Sequence, residues 1–176
     1  GKPFEITTLR RDVATDGRHA QVAFTQNWDE DARRRDFRFN ALYADVDGKV
    51  FDPTGHGVED ARLGRVMFVG DALTRLREDY LRILRFFRFH AWYGQGEPDP
   101  AALAACRALK GMLAGRSAER VQKELLKLLS APDPRAALRL MVKTHILREV
   151  LPPARDLDLL ERLMEVGDEK AGLRIA

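Results

Sequence analysis

The chain has 176 residues, enough for one large domain or two small ones, and 45% of them are hydrophobic, enough for a core. A charged content of 32% suits a soluble protein, and the lack of any apolar run of about 18 residues excludes a transmembrane helix. The net charge is only +3, but arginines cluster at Arg33–Arg35 and from Arg75 to Arg88. Such basic clusters favour phosphate-bearing partners. On totals alone, a solvated charged surface is the simpler interpretation.

The first 70 residues predict short strands joined by polar loops. Phe4–Leu9 and Gln21–Thr25 are rich in β-branched and aromatic residues, which predicts a hairpin. The polar segment Arg10–His19 between them predicts a long tip with an Asp16-Gly17 turn. The next segments are predicted, in chain order, as a loop or short solvated helix (Asn27–Arg35), a short helix or helix–strand junction (Phe37–Tyr43), two strands around an Asp-Gly turn (Ala44–Phe51), a glycine-rich turn (Asp52–Gly57), a helical turn (Val58–Leu63) and a strand (Arg65–Val69).

From Asp71 the hydrophobic period becomes helical. Asp71 is predicted as the N-cap of a helix over Ala72–Arg77, and Ser117 as the cap of one that runs to Leu129. Further helices are predicted over Ala101–Leu113, Ala136–Val142, Ile146–Leu151 and Leu157–Val166, with breaks at Gly94–Pro100, Pro132 and Pro134. The chain is therefore predicted to be α+β, with a strand-containing domain over 1–70 and an all-α domain over 71–176.

The segment Glu78–Arg85 opens an apolar helical stretch that is predicted to run to about Gly94. Residues three or four apart share a helix face, so Asp79 is placed one turn before Arg82, with Arg85 and Arg88 next along the same face. The opposite side is apolar and is predicted to be buried, through Leu81, Ile83, Leu84, Phe87 and Ala91. From the spacing alone, a surface salt bridge is the favoured interpretation of the acid–arginine pair, and a reader of base edges is the alternative.

An acid held beside an arginine can distinguish nucleobases. Cytosine and adenine place an amino donor beside ring acceptors, so Asp79 would accept from the amino group while Arg82 donates to the acceptors. Guanine and uracil present a carbonyl and an N–H at those positions. Since mismatched donors and acceptors leave buried polar groups unsatisfied, such a pair would select cytosine and adenine.

A second basic motif, Arg34-Arg35-Asp36, precedes Asn40. The arginines could bind a triphosphate through bidentate contacts, and Asn40 could bind a ribose hydroxyl. A basic helix start with a local Arg–Asp pair is the favoured alternative for this segment alone. The segment Asp52–Gly57 lacks the lysine and the spacing of a phosphate-binding loop and is interpreted as a turn.

No metal ligands are predicted in this chain. The four histidines lie far apart, and none has Cys, Asp or Glu at ligand spacing. Asp45 and Asp47 stand beside Gly48 and are interpreted as turn residues. The single cysteine, Cys106, cannot form an internal disulfide and suits a reducing, cytoplasmic compartment.

Taken in order, five segments resemble a known family. They are Phe4-Glu-Ile-Thr-Thr-Leu-Arg10, Arg34-Arg-Asp-Phe-x-x-Asn40, Asp52-x-x-Gly55, Glu78-Asp-x-x-Arg-Ile-x-Arg85 and Gly115-x-Ser-x-Glu-Arg120. Over roughly residues 3 to 150 the chain is similar to the class II tRNA nucleotidyltransferases, or CCA-adding enzymes, and to the related bacterial poly(A) polymerases. The first segment and the Asp16-Gly-Arg-His19 loop resemble the CCA-adding branch.

The resemblance implies a fold and an activity. It implies part of a nucleotidyltransferase head, with mixed or antiparallel strands, over 1–70, and a helical neck and the start of an RNA-binding body over 71–176. The parent enzyme is expected to add CMP and AMP from CTP and ATP to the tRNA 3′ end. The alternatives are a poly(A) polymerase that extends RNA with ATP, and a non-catalytic RNA- or nucleotide-binding module.

The resemblance also implies the site residues. They are Arg35 for the triphosphate, Asp36 and Asn40 near the ribose, Asp79 and Arg82 as the amino-acid template that selects the base, and Arg85 and Arg88 as supports for the nucleotide or its phosphates. Residues 10 to 33 would be the flexible loop involved in the switch from C to A addition. Arg38 stands where the family usually has threonine or a small polar residue, a departure that could disturb the ribose pocket.

The catalytic carboxylates of the family do not occur in this chain. The Gly-Gly turn and the Asp-x-Asp pair that holds Mg²⁺ are expected before residue 1, so the chain is predicted to be the middle of such an enzyme and to be inactive alone. Glu5 lies on the strand that, in the family, runs beside those aspartates, and it is implied only as a weak catalytic candidate.

Overall fold

The computed structural model describes residues 8–15, 20–152 and 157–172. Small antiparallel strands at the front are followed by helices, which confirms the α+β class. The strands are β1 (Arg10–Thr15), β2 (Ala20–Phe24), β3 (Tyr43–Ala44) and β4 (Val50–Phe51), and the helices are α1 (Trp28–Arg34), α2 (Gly57–Leu63), α3 (Ala72–Glu78), α4 (Arg82–Tyr93), α5 (Pro100–Leu109), α6 (Ala118–Leu129), α7 (Arg135–Lys143), α8 (Ile146–Val150) and α9 (Asp158–Gly172), with 3₁₀ turns at Arg38–Asn40 and Lys110–Leu113. In the described part of the chain, no helix has the length and apolar character needed to cross a membrane.

The predicted front hairpin is present, but its first strand lies later in the chain. β1 pairs antiparallel with β2, with Arg10 opposite Phe24. The segment Arg10–Thr15, predicted as part of a mobile tip, is therefore a strand, because backbone pairing with β2 outweighs the polar character of its side chains. Most of the predicted strand Phe4–Leu9, with Glu5, lies outside the described residues.

The polar segment Asn27–Arg35 forms helix α1, which was one of the two predicted outcomes. Asn27 caps it by accepting the backbone N–H of Asp29 at 2.9 Å. The helix is not fully solvated, however, because Asp31 and Ala32 are buried against the hairpin. The predicted strand pair around the Asp-Gly turn is confirmed by β3 and β4.

The segment Arg65–Val69 was predicted as a strand, and this prediction is wrong. Only a single antiparallel bridge joins Phe68 to Phe37 among the described residues. The apolar side chains of Val66 and Phe68 are buried in the core and do not belong to a sheet. The Phe37 and Phe68 ring centroids lie 4.7 Å apart, and Phe37 directly precedes the 3₁₀ turn Arg38–Asn40.

Asp71 caps α3 as predicted, accepting the backbone N–H of Thr74 at 2.8 Å. The helix ends at Glu78, and Asp79 has extended backbone angles of φ −151° and ψ 108°. The prediction that Asp79 and Arg82 share one helix face is therefore wrong. Asp79 precedes the new helix α4, where its carboxylate accepts the Leu81 N–H at 3.1 Å and satisfies a donor that the helix start leaves unpaired.

The apolar side of α4 is buried as predicted, except that Ala91 is only partly buried. Ile83, Leu84 and Phe87 are at most 1% exposed, and they join residues from α3, α5, α6, α7 and α8 in one core. Phe37, from the front of the chain, packs on Phe86 in the same core, with ring centroids 6.4 Å apart. The front and rear elements are thus held together by shared packing, while the division into two domains near residue 70 stays a prediction.

Candidate functional site

A cleft of about 520 Å³ opens between the segment after α1, the α3–α4 junction, α4 and α6. Its described lining consists of Arg34, Arg35, Asp36, Asn40, Asp79, Leu81, Arg82, Arg85, Arg120, Lys123, Glu124 and Lys127. Seven of these described side chains are Arg or Lys and three are carboxylates, so the cleft is positively charged. A cleft of this size and charge suits a multiply charged anionic ligand.

One wall of the cleft is fixed by Asp31, which is fully buried. Its carboxylate accepts the Arg10 backbone N–H at 2.9 Å, the Tyr43 hydroxyl at 2.7 Å, Arg34 Nε at 2.8 Å and Arg35 Nε at 3.0 Å. Burial alone would raise the pKa of Asp31, but these hydrogen bonds outweigh it and hold the pKa well below its usual range. The ionised carboxylate therefore orients Arg34 and Arg35 at the cleft edge.

The floor of the cleft contains an ion pair between the buried carboxylate of Asp36 and the partly exposed guanidinium of Arg85. Arg85 Nε donates to one carboxylate oxygen, and Asn40 Nδ2 donates to the other at 2.7 Å. Burial would raise the pKa of Asp36, but the Arg85 guanidinium and the Asn40 amide hold that pKa below its usual value. These hydrogen bonds join the 3₁₀ turn Arg38–Asn40 and the preceding Asp36 to α4.

Asp79 lies at the opposite side of the cleft, on the junction between α3 and α4. One carboxylate oxygen accepts the Leu81 N–H, and the other accepts Arg120 Nη2 of α6 at 2.9 Å. The Asp79 side chain is 33% exposed. Because each carboxylate oxygen has two lone pairs, Asp79 keeps acceptor capacity for a ligand in the cleft.

The sequence spacing predicts a pair between Asp79 and Arg82, but in the structure Arg82 pairs with Glu78. Its Nη1 donates to the Glu78 carboxylate and to the backbone carbonyl of Arg75 at 2.8 Å. Arg75 is itself buried and donates to the Glu78 carboxylate and to the carbonyls of Arg34 and Arg35 at 2.7 and 2.6 Å. The α3–α4 junction is thus tied to the opposite wall through backbone carbonyls.

Arg88 is buried behind the cleft and does not line it. Its Nη1 lies 3.3 Å from Glu124 Oε2, and its guanidinium lies 4.3 Å from the centre of the Phe89 ring. Burial lowers the pKa of Arg88. Glu124 also lies 3.9 Å from Arg85, so the two arginines share this carboxylate of α6.

Within the described residues, the cleft brings together six of the seven predicted nucleotide-binding residues: Arg35, Asp36, Asn40, Asp79, Arg82 and Arg85. Arg88 is the seventh, and it contacts Glu124, which also lies near Arg85. Glu5, the weak catalytic candidate, lies outside the described residues. Arg38, expected to disturb a ribose pocket, instead donates from Nε to Asp60 of α2 at 2.7 Å and does not line the cleft.

Several contributors were not predicted from the sequence. The α6 side chains are Arg120, Lys123, Glu124 and Lys127. Their spacing of three and four places them on one helix face, which was the available signal. Asp31 also had a signal, since it precedes Arg34 by three residues and Arg35 by four.

No group of three His, Cys, Asp or Glu side chains among the described residues is placed to hold a metal ion. The acidic groups of the cleft are each engaged by arginines, as Asp36 is by Arg85 and Asp79 by Arg120. These residues therefore do not fit a metal centre.

Two family models match the chain. Residues 1–67 match the model described as the poly A polymerase head domain, and residues 97–157 match the model described as a probable RNA and SrmB-binding site of polymerase A. The two matched ranges lie on either side of the α3–α4 junction in the sequence. The cleft is lined by residues from both ranges and from this junction.

Similar proteins carry consistent names. The human protein named "CCA tRNA nucleotidyltransferase 1, mitochondrial" is 50% identical over 131 residues, which cover 72% of this chain and 29% of that protein. The "CCA-adding enzyme" of Streptococcus pneumoniae serotype 19F is 37% identical over 165 residues, covering 93% and 41%. The crystal structure of the Bacillus stearothermophilus CCA-adding enzyme in complex with CTP matches with a TM-score of 0.72 and 34% identity, covering 83% and 35%. The chain thus spans well under half the length of these relatives.

Proposed function

Because this chain belongs to the family of class II tRNA nucleotidyltransferases and bacterial poly(A) polymerases, we propose that the whole protein adds CMP and AMP from CTP and ATP to the tRNA 3′ end. The role of the chain in this reaction is to bind and select the nucleotide. The observation that carries the proposal is the convergence, in one cationic cleft, of the carboxylate of Asp79 at the α3–α4 junction with arginines from α1 and α4. The names of the relatives support the same activity.

Base selection is assigned to Asp79 and Arg82. The Asp79 carboxylate would accept the amino group shared by cytosine and adenine, using the lone pairs left over from Leu81 and Arg120. Arg82 has five N–H donors, of which its contacts to Glu78 and to backbone carbonyls use only some. The remaining donors would pair with the ring acceptors. Uracil and guanine would place a carbonyl against the carboxylate, a mismatch that is costly once water is excluded.

The sugar and phosphates are assigned to the other wall. Arg35 would contact the triphosphate, since Asp31 and Tyr43 hold its guanidinium at the cleft edge. Asp36 and Asn40 would face the ribose. Arg85 would support the nucleotide while it keeps Asp36 ionised.

Arg88 would act as a support for the other cleft residues. It holds Glu124 from behind, and Glu124 lies near Arg85. We therefore assign Arg88 a positioning role and no direct contact with the nucleotide.

Mg²⁺ is proposed as the ion of the whole enzyme, because phosphoryl transfer of this kind requires a cation to neutralise charge on the transferred group. The described residues form no metal site, so their assigned work is confined to binding and orienting the nucleotide and to reading its base. The carboxylates that hold the ion are proposed to lie elsewhere in the whole protein.

The cytoplasm is the proposed compartment. Cys106 is a buried free thiol, and burial raises its pKa, which keeps it protonated and unreactive. The human relative carries the word "mitochondrial" in its name, so fractionation of cells that express the whole protein tests this assignment.

The test of the function is nucleotide incorporation by the full-length protein on a tRNA that lacks its 3′ CCA. We expect C to be added from CTP and a terminal A from ATP, and neither UTP nor GTP to be used. Extension with ATP alone would identify a poly(A) polymerase. Nucleotide or RNA binding without incorporation would identify a non-catalytic module, and either result would contradict the proposal.

A further inference from the structure

A second pocket, of about 290 Å³, adjoins the cationic cleft. Its described lining is Arg88, Phe89, Trp92, Tyr93, Lys127 and Ser130, and it contains no carboxylate among those residues. Trp92 and Tyr93 are 41% and 56% exposed, so both rings offer accessible surface at the pocket. We call this feature the aromatic pocket.

The aromatic pocket and the cleft are consecutive parts of one groove between α4 and α6. Arg120 contacts Asp79 at one end, Glu124 contacts Arg88 in the middle, and the Lys127 carbonyl accepts Trp92 Nε1 at 2.8 Å at the other end. The two helices therefore run side by side in the same direction. Lys127 lines both the cleft and the aromatic pocket, which makes the groove continuous.

The spacing along the groove separates the two binding regions. Arg82 and Trp92 are ten residues apart on α4, which corresponds to about 15 Å along the helix axis. A nucleotide in the cleft and a base stacked on Trp92 would therefore be two different nucleotides. A polymer with regularly spaced bases and phosphates has the chemistry to occupy both.

The rings of the aromatic pocket are held in place before any ligand arrives. The hydrogen bond to the Lys127 carbonyl fixes Trp92, and Tyr93 stacks on Phe89 with ring centroids 6.0 Å apart. An ordered aromatic face beside an exposed lysine binds a base by stacking and the neighbouring phosphate by charge. Such stacking tolerates any base, unlike the contacts at Asp79.

We propose that Trp92, Tyr93 and Lys127 form a stacking subsite for an unpaired base of a single-stranded RNA 3′ segment whose end reaches the cleft. The occupant is RNA because the groove offers both the aromatic face and the positive charge that a nucleic-acid strand needs, and because it is continuous with the nucleotide cleft. The inference rests on the proposed function, since it assigns the RNA substrate a binding position next to that site.

The chain has two tryptophans, Trp28 and Trp92, which makes the subsite directly observable. Trp28 packs on Tyr43 of β3 and Phe51 of β4, so a Trp28→Phe variant leaves Trp92 as the only indole of the chain. This variant is titrated with an unstructured eight-nucleotide RNA and with an abasic ribose-phosphate chain of the same length. We expect the RNA to quench Trp92 fluorescence and the abasic chain to leave it almost unchanged.

Affinity provides the second measurement. Trp92→Ala should weaken binding of the eight-nucleotide RNA by about fivefold or more, as expected for the loss of one stacked base, and Trp92→Phe should retain most of it. Phe24→Ala is the matched control, because Phe24 is an exposed aromatic residue on β2 outside both pockets. Circular dichroism verifies that each variant is folded.

The outcomes separate the subsite from the proposed function. Unchanged RNA affinity in Trp92→Ala, with CTP binding intact, would overturn the subsite and leave the function standing. Trp92-dependent RNA binding without any CTP binding would support the subsite and count against the function. Equal quenching by the abasic chain would mean that the pocket attracts only the phosphates. No quenching by either chain would mean that the rings do not contact RNA and would favour a protein partner. Each of these two results would overturn the proposal.

Discussion

Replacing Asp79 with asparagine tests base reading with little change in shape. The amide oxygen of Asp79→Asn can still accept the Leu81 N–H, so the α3–α4 junction should keep its conformation, while the hydrogen bond from Arg120 is lost. The substitution removes the negative charge that favours the amino group of cytosine and adenine. It also introduces an NH₂ group that can donate to the carbonyl of uracil, so the preference for CTP over UTP should fall.

The size of the effect follows from one charge-assisted hydrogen bond, which contributes about 1.5–3 kcal/mol when it is shielded from water. Because the Asp79 side chain is 33% exposed, we use the lower part of this range, about 1.5–2 kcal/mol. The ratio of kcat/KM for CTP over UTP should therefore fall by about 10- to 30-fold in the full-length enzyme. Single-nucleotide incorporation on a tRNA acceptor measures this ratio for each of the four nucleotides.

An Asp79→Asn variant that lowers kcat/KM equally for all four nucleotides, with selectivity unchanged, would mean that Asp79 supports the cleft and does not read the base. Asp71→Asn is the matched control, since Asp71 caps α3 outside the cleft and asparagine is an equally good cap. It should change neither selectivity nor rate.

Three further substitutions test the structure around the cleft. Arg85→Met leaves the buried Asp36 carboxylate without its partner and should lower the free energy of unfolding by about 2 kcal/mol or more, measured with urea. Asp31→Asn should flatten the acid side of the stability curve. The pKa of Asp31 is lowered on folding, so its contribution is present above the unfolded value of about 3.8 and is lost as the pH falls below it, as pH-dependent urea unfolding can measure. Arg120→Ala should raise KM for CTP and ATP more than it changes kcat, because Asp79 loses the contact that orients it, and Arg120→Lys should restore part of the loss.

Each of these predictions has a matched control. Arg135 is as exposed as Arg85 but pairs with the exposed Asp133, so Arg135→Met should change stability much less than Arg85→Met. Asp47 is an exposed turn residue, and an Asp47→Asn variant with the same acid response as Asp31→Asn would refute the role of burial. Arg139 forms an exposed ion pair with Glu161, and a KM change in Arg139→Ala equal to that in Arg120→Ala would remove Arg120 from the site.

Local chemistry made parts of the fold predictable. Asp71 and Ser117 were recognisable as helix caps because side-chain oxygens at these positions satisfy backbone donors within the next turn. The buried side of α4 followed from its apolar period. The strand at Arg65–Val69 was predicted wrongly because apolar residues in a core-crossing segment have the same composition as a short buried strand.

The sequence predicted which residues form the candidate site better than it predicted which of them contact each other. Six residues chosen from motifs meet in the cleft, but the pairs differ from the sequence spacing. Asp79 pairs with Arg120, 41 residues away, and Arg85 pairs with Asp36, 49 residues away. Spacing within one helix cannot reveal such partners, because tertiary packing of α4 against α6 and the 3₁₀ segment creates them.

The most direct test of nucleotide selection by this cleft is a crystal structure of the chain with CTP bound. We expect the cytosine amino group at about 3 Å from the Asp79 carboxylate, with Arg82 facing the ring nitrogen and carbonyl. We also expect the triphosphate near Arg35. A cytosine that lies away from Asp79, or a base that contacts neither side chain while the triphosphate is bound, would contradict nucleotide selection by this cleft.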